Sequence, residues 1–342
     1  MRVLHLYSGN LYGGVEAILA ALARHAGLVP EMETRFALCF DGRLARELRA
    51  AGAAPAMLGA VRGSRPWTVL RARARLGRLL ARSRPHAVVC HSAWAHALFA
   101  GRVRGAGLPL VFWQHDAVTG ADFFERRAAR TPPALAVCTS RFALGTLPRV
   151  FPHVRAEVVY PPVPPPSFAS SPADRAAVRA ELGTAAGEVV VVQVGRAEPW
   201  KGRRLHLEAL GLLRGLPGWT TWMVGGAQRP YEERHLEEMR ALAESLGIGG
   251  RVRFAGERAD VPRLLAAADV LCQPNLGAEP FGIACVEGLY AGLPVVATAL
   301  GGPAEVVDAR CGALVPPDDP AALAAALRRL LEDPHARARL GA

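Results

Sequence analysis

The segment that decides the fold is Val270-Leu-Cys-Gln273, followed by Gly277-Ala-Glu-Pro-Phe-Gly-Ile-Ala-Cys-Val-Glu-Gly288 and then by Leu293-Pro-Val-Val-Ala297. The first and last pieces are short apolar runs that predict buried strands, and residues 281–291 between them predict a helix. A strand, a helix and a second strand in this order form a βαβ unit. Such units bind ligands outside the carboxyl ends of their strands, where the N–H groups of the helix start favour an anion.

Two carboxylates flank this predicted helix start. Glu279 lies just before the helix and Glu287 two turns inside it, and at about 100° per residue the two lie within roughly 80° of one another. They suit a ligand with several hydroxyl groups, because carboxylates only accept hydrogen bonds. The phosphates of that ligand would rest on the amides of Phe281, Gly282 and Ile283. Alternatively, Glu279 only complements the helix dipole and Glu287 is a surface residue.

Strand and helix patterns alternate through both halves of the chain, which predicts parallel, doubly wound sheets with helices on both faces. The predicted strands are 3–7, 34–40, 87–91, 108–114, 135–139, 188–195, 220–224 and 251–254, besides the two quoted above. The predicted helices are 15–25, 44–51, 67–82, 93–103, 141–150, 205–214, 231–246, 261–267 and 323–331, besides 281–291.

A chain of 342 residues exceeds what one hydrophobic core usually serves. Residues 160–172 contain six prolines, which predict a stiff connector without helix or strand. We therefore predict a first domain at 1–160, a linker at 161–173 and a second domain at 174–342. The predicted fold class is α/β, with two Rossmann-like, doubly wound domains facing across a ligand-binding cleft.

The positive charge is concentrated in the first half. Residues 1–150 hold 21 arginines, no lysine and 8 acidic residues, a net charge of +13, whereas the remainder carries −2. Eight arginines fall between Arg62 and Arg84, and four recur at helical spacing opposite leucines: Arg71, Arg75, Arg78 and Arg82 against Leu70, Leu76, Leu79 and Leu80. Such a helix can dock on anionic lipid or on nucleic acid. Alternatively, its arginines only form a solvated face, and the sequence leaves docking and the solvated face open.

Compartment and cofactors follow from what the sequence lacks. Arg and Gly interrupt every long apolar run, and the first residues predict a strand rather than a signal peptide, so we expect a cytoplasmic protein. The six cysteines form no CxxC pair and read as reduced core residues. No cluster of Cys or His predicts a metal site. The glycine loop at residues 9–14 departs from the G-x-G-x-x-G pattern, which disfavours a nicotinamide cofactor.

Three basic side chains are candidates for a site at the ends of predicted strands. Arg196 follows strand 188–195, and Lys201 lies five residues later at a helix start, so both suit a diphosphate. Lys201 is the only lysine against forty arginines, which favours phosphate contact over an incidental surface position. His115 ends strand 108–114 beside Asp116 and would position a hydroxyl or relay a proton, unless it only closes the strand end.

The segments GGVE at 13, HD at 115, GRAEPWKG at 195, EPFGIACVE at 279 and GGPAEVV at 301 resemble, in order and spacing, the retaining glycosyltransferases of family four, which have the GT-B fold. The E-x7-E element combined with Arg196 and Lys201 is the specific part. Members of this family usually end in a helix that crosses back to the first domain. Because this sequence ends at Ala342, soon after helix 323–331, we expect that closing helix to be missing or shortened.

The resemblance implies a role for each matching residue, and all of them would serve a nucleotide-diphosphate sugar. Arg196, Lys201 and Gly14 would contact the diphosphate, and the amides of Phe281, Gly282 and Ile283 would contact the sugar and phosphate. Glu279 would bind the transferred sugar, Glu287 would bind the ribose, and His115 would lie near the reacting carbon. Glu257 and Arg258 would contact the edge of the base. The catalytic residues would be His115, Glu279, Arg196 and Lys201. Since no Asp-x-Asp motif occurs, we predict transfer without a metal and without another cofactor.

The predicted partners are a nucleotide-sugar donor and a glycan, lipid-linked or small-molecule acceptor; the basic segment from Arg62 to Arg84 would allow peripheral contact with an anionic membrane surface on the cytoplasmic side, and no nucleic acid is expected. Two alternatives remain open. One is a nucleotide-sugar epimerase, or a phosphorylase, on the same fold. The other is a basic membrane or nucleic-acid adaptor with an inactive donor site, which would bind liposomes or RNA without turnover.

Overall fold

The structure, a computed structural model, describes residues 1–62, 64–166 and 171–342. It divides into two compact units, Met1–Val163 and Pro164–Ala342. The division falls inside the predicted linker 161–173, of which residues 167–170 lie outside the described residues, as does Gly63 of the basic segment. Each unit contains one parallel sheet with helices packed on it.

The first unit has a seven-stranded sheet in the order β3-β2-β1-β4-β5-β6-β7. Its strands are β1 (Arg2–Tyr7), β2 (Glu33–Leu38), β3 (Ala56–Met57), β4 (Ala87–His91), β5 (Leu110–Gln114), β6 (Leu135–Cys138) and β7 (Ala156–Val158). Its helices are α1 (Gly14–Arg24), α2 (Arg43–Ala50), α3 (Pro66–Ser83), α4 (Ala93–Arg104), α5 (Phe123–Ala128) and α6 (Arg141–Thr146).

The second unit has a six-stranded sheet in the order β10-β9-β8-β11-β12-β13. Its strands are β8 (Val189–Val194), β9 (Trp219–Val224), β10 (Val252–Gly256), β11 (Val270–Gln273), β12 (Val295–Thr298) and β13 (Gly312–Val315). Its helices are α7 (Pro172–Glu181), α8 (Arg203–Leu212), α9 (Pro230–Ser245), α10 (Val261–Ala267), α11 (Ile283–Tyr290), α12 (Pro303–Val306), α13 (Pro320–Glu332) and α14 (Pro334–Gly341).

The core of each unit lies on both faces of its sheet. In β8, Val191 packs into the cluster on one face, whereas Val190 and Val192 pack into the cluster on the other. Successive strand residues point to opposite faces, so a strand covered by helices on both sides is apolar at nearly every position. Five of the six residues of β8 are accordingly valines, the exception being Gln193, and the predicted doubly wound architecture is confirmed in both units.

The prediction that residues 160–172 contain no helix was wrong at the last residue of this stretch. Helix α7 begins at Pro172, inside the stretch that the prolines were expected to keep free of helix, and the Ser171 hydroxyl accepts a hydrogen bond from the Asp174 N–H. Proline is favourable at the first position of a helix, where its missing N–H is not needed. Helix α11 also begins later than predicted, at Ile283, because Gly282 adopts a left-handed conformation (φ 96°) as its N-cap.

Helix α3 departs from the predicted basic stripe in one respect. Leu76 and Leu80 are buried as expected, and all four arginines of the stripe are exposed. Leu70, however, is 64% exposed, and Trp67 one turn earlier is 59% exposed. The exposed face of α3 therefore carries apolar side chains at its first two turns beside the arginines.

The described part of the chain has no helix that is both long enough and apolar enough to cross a membrane. All six cysteines are free thiols, and five of them are buried.

Candidate functional site

The candidate site of the second unit lies where its strand order reverses. The chain builds β9 and β10 on one side of β8, and β11, β12 and β13 on the other. The carboxyl ends of β8 and β11 are therefore adjacent, and open α/β sheets bind ligands at such switch points. Two loops begin there, which we call the β8 loop (residues 195–202) and the β11 loop (residues 274–282).

The β8 and β11 loops contact each other through their backbones. The Trp200 carbonyl accepts hydrogen bonds from the N–H groups of Leu276 (2.8 Å) and Gly277 (3.2 Å). Gly202 has φ 72°, and a Cβ at this position would lie 1.8 Å from the Pro274 carbonyl oxygen. Only glycine satisfies both the left-handed backbone and this close approach. The two loops are thereby held in one arrangement.

This arrangement brings Lys201 and Glu279 together. Their side chains form an ion pair, and both are about one-fifth exposed (18% and 19%). The Asn275 amide donates to the same Glu279 carboxylate at 3.0 Å, and the Lys201 ammonium lies 4.0 Å from the centre of the Trp200 ring. The buried Gln193 side chain donates to the Lys201 carbonyl at 2.7 Å. A partly accessible cation and carboxylate are thus fixed at the end of β8.

Arg196 leaves β8 and is also paired with carboxylates. Its guanidinium contacts the fully buried Glu232 and lies 3.2 Å from Glu198. Burial raises the pKa of Glu232, but the Gln228 N–H and the guanidinium together outweigh it, so that the pKa lies below its ordinary value. Glu232 is therefore ionised and orients Arg196 beside the β8 loop.

Arg203 is a site residue that sequence reasoning missed. Its buried Nη2 donates to the carbonyl oxygens of Gly195 (2.8 Å), Gly225 (3.0 Å) and Val224 (3.2 Å), and burial lowers its pKa to about 10. The guanidinium joins the ends of β8 and β9. An arginine at the start of an otherwise buried helix was the available signal, but its partners lie up to 22 residues away.

The start of α11 supplies the predicted amides. Gly282 and Ile283 are the N-cap and first residue of this helix, and their N–H groups have no acceptor among the described residues. Phe281 precedes them and is 8% exposed. First-turn N–H groups carry the positive end of the helix dipole, so this helix start favours an anion.

The motif at 301 supports Glu279 through the backbone. The Gly302 N–H donates to the Glu279 carbonyl at 2.7 Å. A Cβ at Gly301 would lie 2.2 Å from that same oxygen, and a Cβ at Gly302 would lie 2.3 Å from the Phe281 Cα. The two glycines are therefore needed to let this loop pack against the β11 loop.

Glu287 lies on α11 and is half-buried. Its carboxylate makes no hydrogen bond or ion pair with the described residues, and burial raises its pKa to about 7. Unlike the carboxylates of Glu232 and Glu279, it pairs with no cation among the described residues. It is therefore available as an acceptor for a ligand hydroxyl.

We expect Glu287→Gln to stabilise the protein at about pH 8 and to have no effect at about pH 4. The pKa of Glu287 is raised on folding from 4.5 to about 7, so the unfolded chain ionises first and the parent loses stability as the pH rises through this window. Glutamine has no charge to bury. The urea midpoint at several pH values measures this. Glu237→Gln, on the exposed face of α9, is the control, and equal pH profiles for both variants would contradict the expectation.

The turn after β10 places Arg258 among carboxylates. Its guanidinium donates to both oxygens of Asp260 at 2.8 Å and also pairs with Glu181. Its neighbour Glu257 also has interaction partners. The Arg258 side chain thus holds the turn in shape, and its predicted contact with a base stays a prediction.

In the first unit, Gly14 is the first residue of α1, directly after the loop that follows β1. The Gly13 N–H donates to the carboxylate of the buried Glu16 at 2.9 Å, which closes the loop onto the helix. Since β1 lies at the switch point of its own sheet, beside β4, the position of Gly14 corresponds to that of the β8 loop in the second unit.

His115 follows β5 and is buried (6% exposed). Together with Ser92, Trp94 and Phe124 it lines a cavity of about 200 Å³. Its Nε2 lies 2.8 Å from Nδ1 of His91. His5 lies on β1, His91 ends β4 and His115 follows β5, and these three strands are neighbours in the sheet.

No group of three His, Cys, Asp or Glu side chains within residues 1–62, 64–166 and 171–342 is placed to hold a metal ion. Whether the protein works without a metal stays a prediction.

Solved structures define the class of protein. Alr3699/HepE of Anabaena, solved in complex with UDP and glucose, matches with a TM-score of 0.88 at 25% identity, over 100% of this chain and 93% of that one. Sucrose-phosphate synthase of Thermosynechococcus elongatus matches with a TM-score of 0.82 at 20% identity, over 99% and 92%, which bears on the fold alone. With its two Rossmann-like units, the chain has the GT-B fold.

The family of the second unit follows from its sequence. Residues 174–342 match the glycosyl transferases group 1. D-inositol 3-phosphate glycosyltransferase of Mycobacteroides abscessus is 39% identical over 168 residues, which are 47% of this chain and 36% of the relative. The lipopolysaccharide core glycosyltransferase LpsE of Rhizobium meliloti is 36% identical over 163 residues, 47% and 45%. The chain thus spans less than half the length of either relative, and the match to the glycosyl transferases group 1 covers residues 174–342.

Proposed function

We propose that this protein transfers a hexosyl group from a nucleoside diphosphate sugar to an acceptor hydroxyl, with retention of configuration and without a metal ion. The observation that carries the proposal is the Lys201–Glu279 ion pair at the switch point of the second sheet, with Arg196 in the same β8 loop, in a segment that matches the glycosyl transferases group 1. A nucleotide-sugar donor is further supported by HepE, which was solved with UDP and glucose. The acceptor would be a glycan, a lipid-linked saccharide or a small molecule.

The chemistry requires stabilisation of a leaving diphosphate. The bond from the sugar carbon to the phosphate oxygen breaks, and negative charge develops on the diphosphate. Lys201 and Arg196 would bind this charge together with the N–H groups at the start of α11. Lys201 would then exchange Glu279 for phosphate, which frees the Glu279 carboxylate to accept hydrogen bonds from the sugar hydroxyls.

Other residues would fix the nucleotide and the sugar. Glu287, which has no cation beside it, would accept a hydrogen bond from the ribose. Because the Arg258 side chain is held by Asp260 and Glu181, the backbone of the turn at Glu257 would read the base edge. From the first unit, Gly14 would approach the diphosphate and His115 the reacting carbon.

Retention follows a path without a covalent intermediate. The acceptor oxygen forms the new bond on the face that the diphosphate leaves, its proton passes to a phosphate oxygen, and the nucleoside diphosphate is released. The product and the donor then share one anomeric configuration.

The test is release of nucleoside diphosphate from a panel of UDP-, GDP- and ADP-sugars with saccharide acceptors. We expect turnover that needs an acceptor, that a chelator does not change and whose product keeps the donor configuration by NMR. Conversion of donor alone into another sugar nucleotide would instead indicate an epimerase. Nucleotide binding without turnover of any donor would contradict the proposal.

We further propose that α3 docks on an anionic membrane surface. Its exposed face combines Trp67 and Leu70 with Arg71 and Arg78, and apolar side chains next to cations are what such a surface binds. Replacing Arg71 and Arg78 by Gln should reduce binding to vesicles containing phosphatidylglycerol, measured by co-sedimentation. The control replaces Arg234 and Arg240 on the exposed face of α9, and equal loss in both pairs would contradict a specific role for α3.

A further inference from the structure

Three buried histidines of the first unit form a continuous hydrogen-bonded chain. His5 Nδ1 lies 2.8 Å from His91 Nε2, and His91 Nδ1 lies 2.8 Å from His115 Nε2. The three side chains are 5%, 0% and 6% exposed. They come from β1, from the end of β4 and from the residue after β5, which are neighbours in the sheet. Nothing in the proposed chemistry yet uses His5 or His91.

The chain requires neutral imidazoles. Burial lowers the pKa of His5 to about 4, that of His91 well below its ordinary value and that of His115 to about 3, and the neighbouring imidazoles act in the same direction on His91 and His115. A neutral imidazole carries one N–H and one bare nitrogen. In each of the two contacts one nitrogen must therefore donate and the other accept.

This rule couples the three tautomers. If His91 carries its proton on Nδ1, it donates to His115 and accepts from His5, so that all three carry Nδ1–H. If His91 carries its proton on Nε2, it donates to His5 and accepts from His115, so that all three carry Nε2–H. A neutral, fully hydrogen-bonded chain has no mixed state.

The far end of the chain selects between the two states. His5 Nε2 is buried and has no partner among the described residues. In the Nε2–H state it would be a buried donor without an acceptor, whereas in the Nδ1–H state it is only a bare acceptor, and unpaired buried N–H groups are the rarer of the two in proteins. Because His5 Nε2 has no partner in the described part of the chain, the three histidines also cannot pass a proton onward to solvent.

The near end of the chain opens into the cavity. His115 Nδ1 makes no hydrogen bond with the described residues, so it is the ring nitrogen left to contact a ligand. His115 lines the cavity beside Trp94, Asp116 and Phe124. Which tautomer it holds decides whether this nitrogen donates or accepts.

We infer that His5 and His91 are positioning residues that lock His115 as the neutral Nδ1–H tautomer, so that His115 presents a hydrogen-bond donor, not a base, to a sugar oxygen in this cavity. This lock on the His115 tautomer depends only on residues of the first unit. Its consequence for turnover rests on the proposed function.

The lock is tested by the nitrogen chemical shifts of the intact chain with ¹⁵N-labelled histidine, at about neutral pH and without substrate. Two further buried histidines are internal references: His96 Nε2 faces the Thr131 carbonyl and must carry Nε2–H, whereas His206 Nδ1 faces Gln193 Oε1 and must carry Nδ1–H. Signals are assigned by His5→Phe and His115→Gln. All three histidines should match the His206 pattern, and an Nε2–H or doubly protonated ring at any of them overturns the inference.

Variants at His91 test the coupling. The amide of His91→Asn can still donate to His115 Nε2, whereas His91→Leu cannot. We expect the Asn variant to keep His115 as Nδ1–H and the Leu variant to populate Nε2–H. With a working transferase assay, kcat should fall about tenfold in the Leu variant only, at unchanged donor KM. If His91→Leu does not fold, the parent and Asn spectra still decide, and an Asn variant with Nε2–H at His115 overturns the coupling.

These spectra need no turnover. A protein that transfers no sugar would contradict the proposed function and leave the tautomer result standing, whereas an active enzyme with Nε2–H on His115 would contradict only the lock.

Discussion

Lys201→Met is expected to lower kcat/KM for the nucleotide sugar by about 10²- to 10³-fold, the usual effect of removing one charge-stabilising donor from a reacting centre. Two physical effects act in the same direction. The leaving diphosphate loses a cation, and the Glu279 carboxylate keeps only the Asn275 amide as a side-chain partner among the described residues, so that its charge repels the phosphates. The measurement is steady-state kinetics together with nucleoside diphosphate affinity by calorimetry.

Three matched variants make the Lys201 result interpretable. Lys201→Arg keeps the charge with a different shape and should recover much of the loss. Arg204→Met removes a half-exposed cation three residues later, which pairs weakly with Glu208, and should change kcat/KM less than twofold. In the double variant Lys201→Met/Glu279→Gln, the fold loss in kcat/KM relative to the parent should be smaller than the product of the two single losses, because the two side chains contact each other. A Lys201→Met enzyme within about threefold of the parent would refute the proposed role.

Gly202→Ala is expected to destabilise the second unit by about 3 kcal/mol or more and to abolish turnover. The new methyl group would lie 1.8 Å from the Pro274 carbonyl, so the β8 and β11 loops must separate, and with them Lys201 and Glu279. Urea unfolding followed by tryptophan fluorescence measures the stability. Nucleoside diphosphate release by the folded variant, expected to be undetectable, tests whether the loops have separated.

Gly247→Ala separates the cost of a left-handed backbone from the cost of the clash between the new methyl group at 202 and the Pro274 carbonyl. Gly247 has φ 71°, almost that of Gly202, but no atom lies within 4 Å of the position of its Cβ. This variant should lose only the roughly 1–2 kcal/mol of a left-handed alanine. If both variants lose the same stability, the contact between the loops is not what requires glycine at 202.

Local patterns were sufficient for most of the architecture. A mostly apolar run such as β8, with five valines and Gln193, predicts a strand buried on both faces, and strands alternating with amphipathic helices predict parallel sheets, so both sheets followed from the chain. Patterns failed where elements are short. The two-residue β3 and the four-residue α12 have too few residues to show a period, and α7 was hidden by the proline that starts it.

For the site, the sequence by itself determined which side chains stand at the carboxyl ends of strands: Arg196, Lys201, Glu279 and His115. Strand ends are readable because they depend only on neighbours along the chain. Only the tertiary structure decided which of these side chains contact each other. Lys201 and Glu279 are 78 residues apart, and His5 and His91 are 86 residues apart. Each pair meets because β8 lies beside β11 and β1 beside β4, and the order of strands in a sheet is set by the packing of whole elements, which no local pattern records.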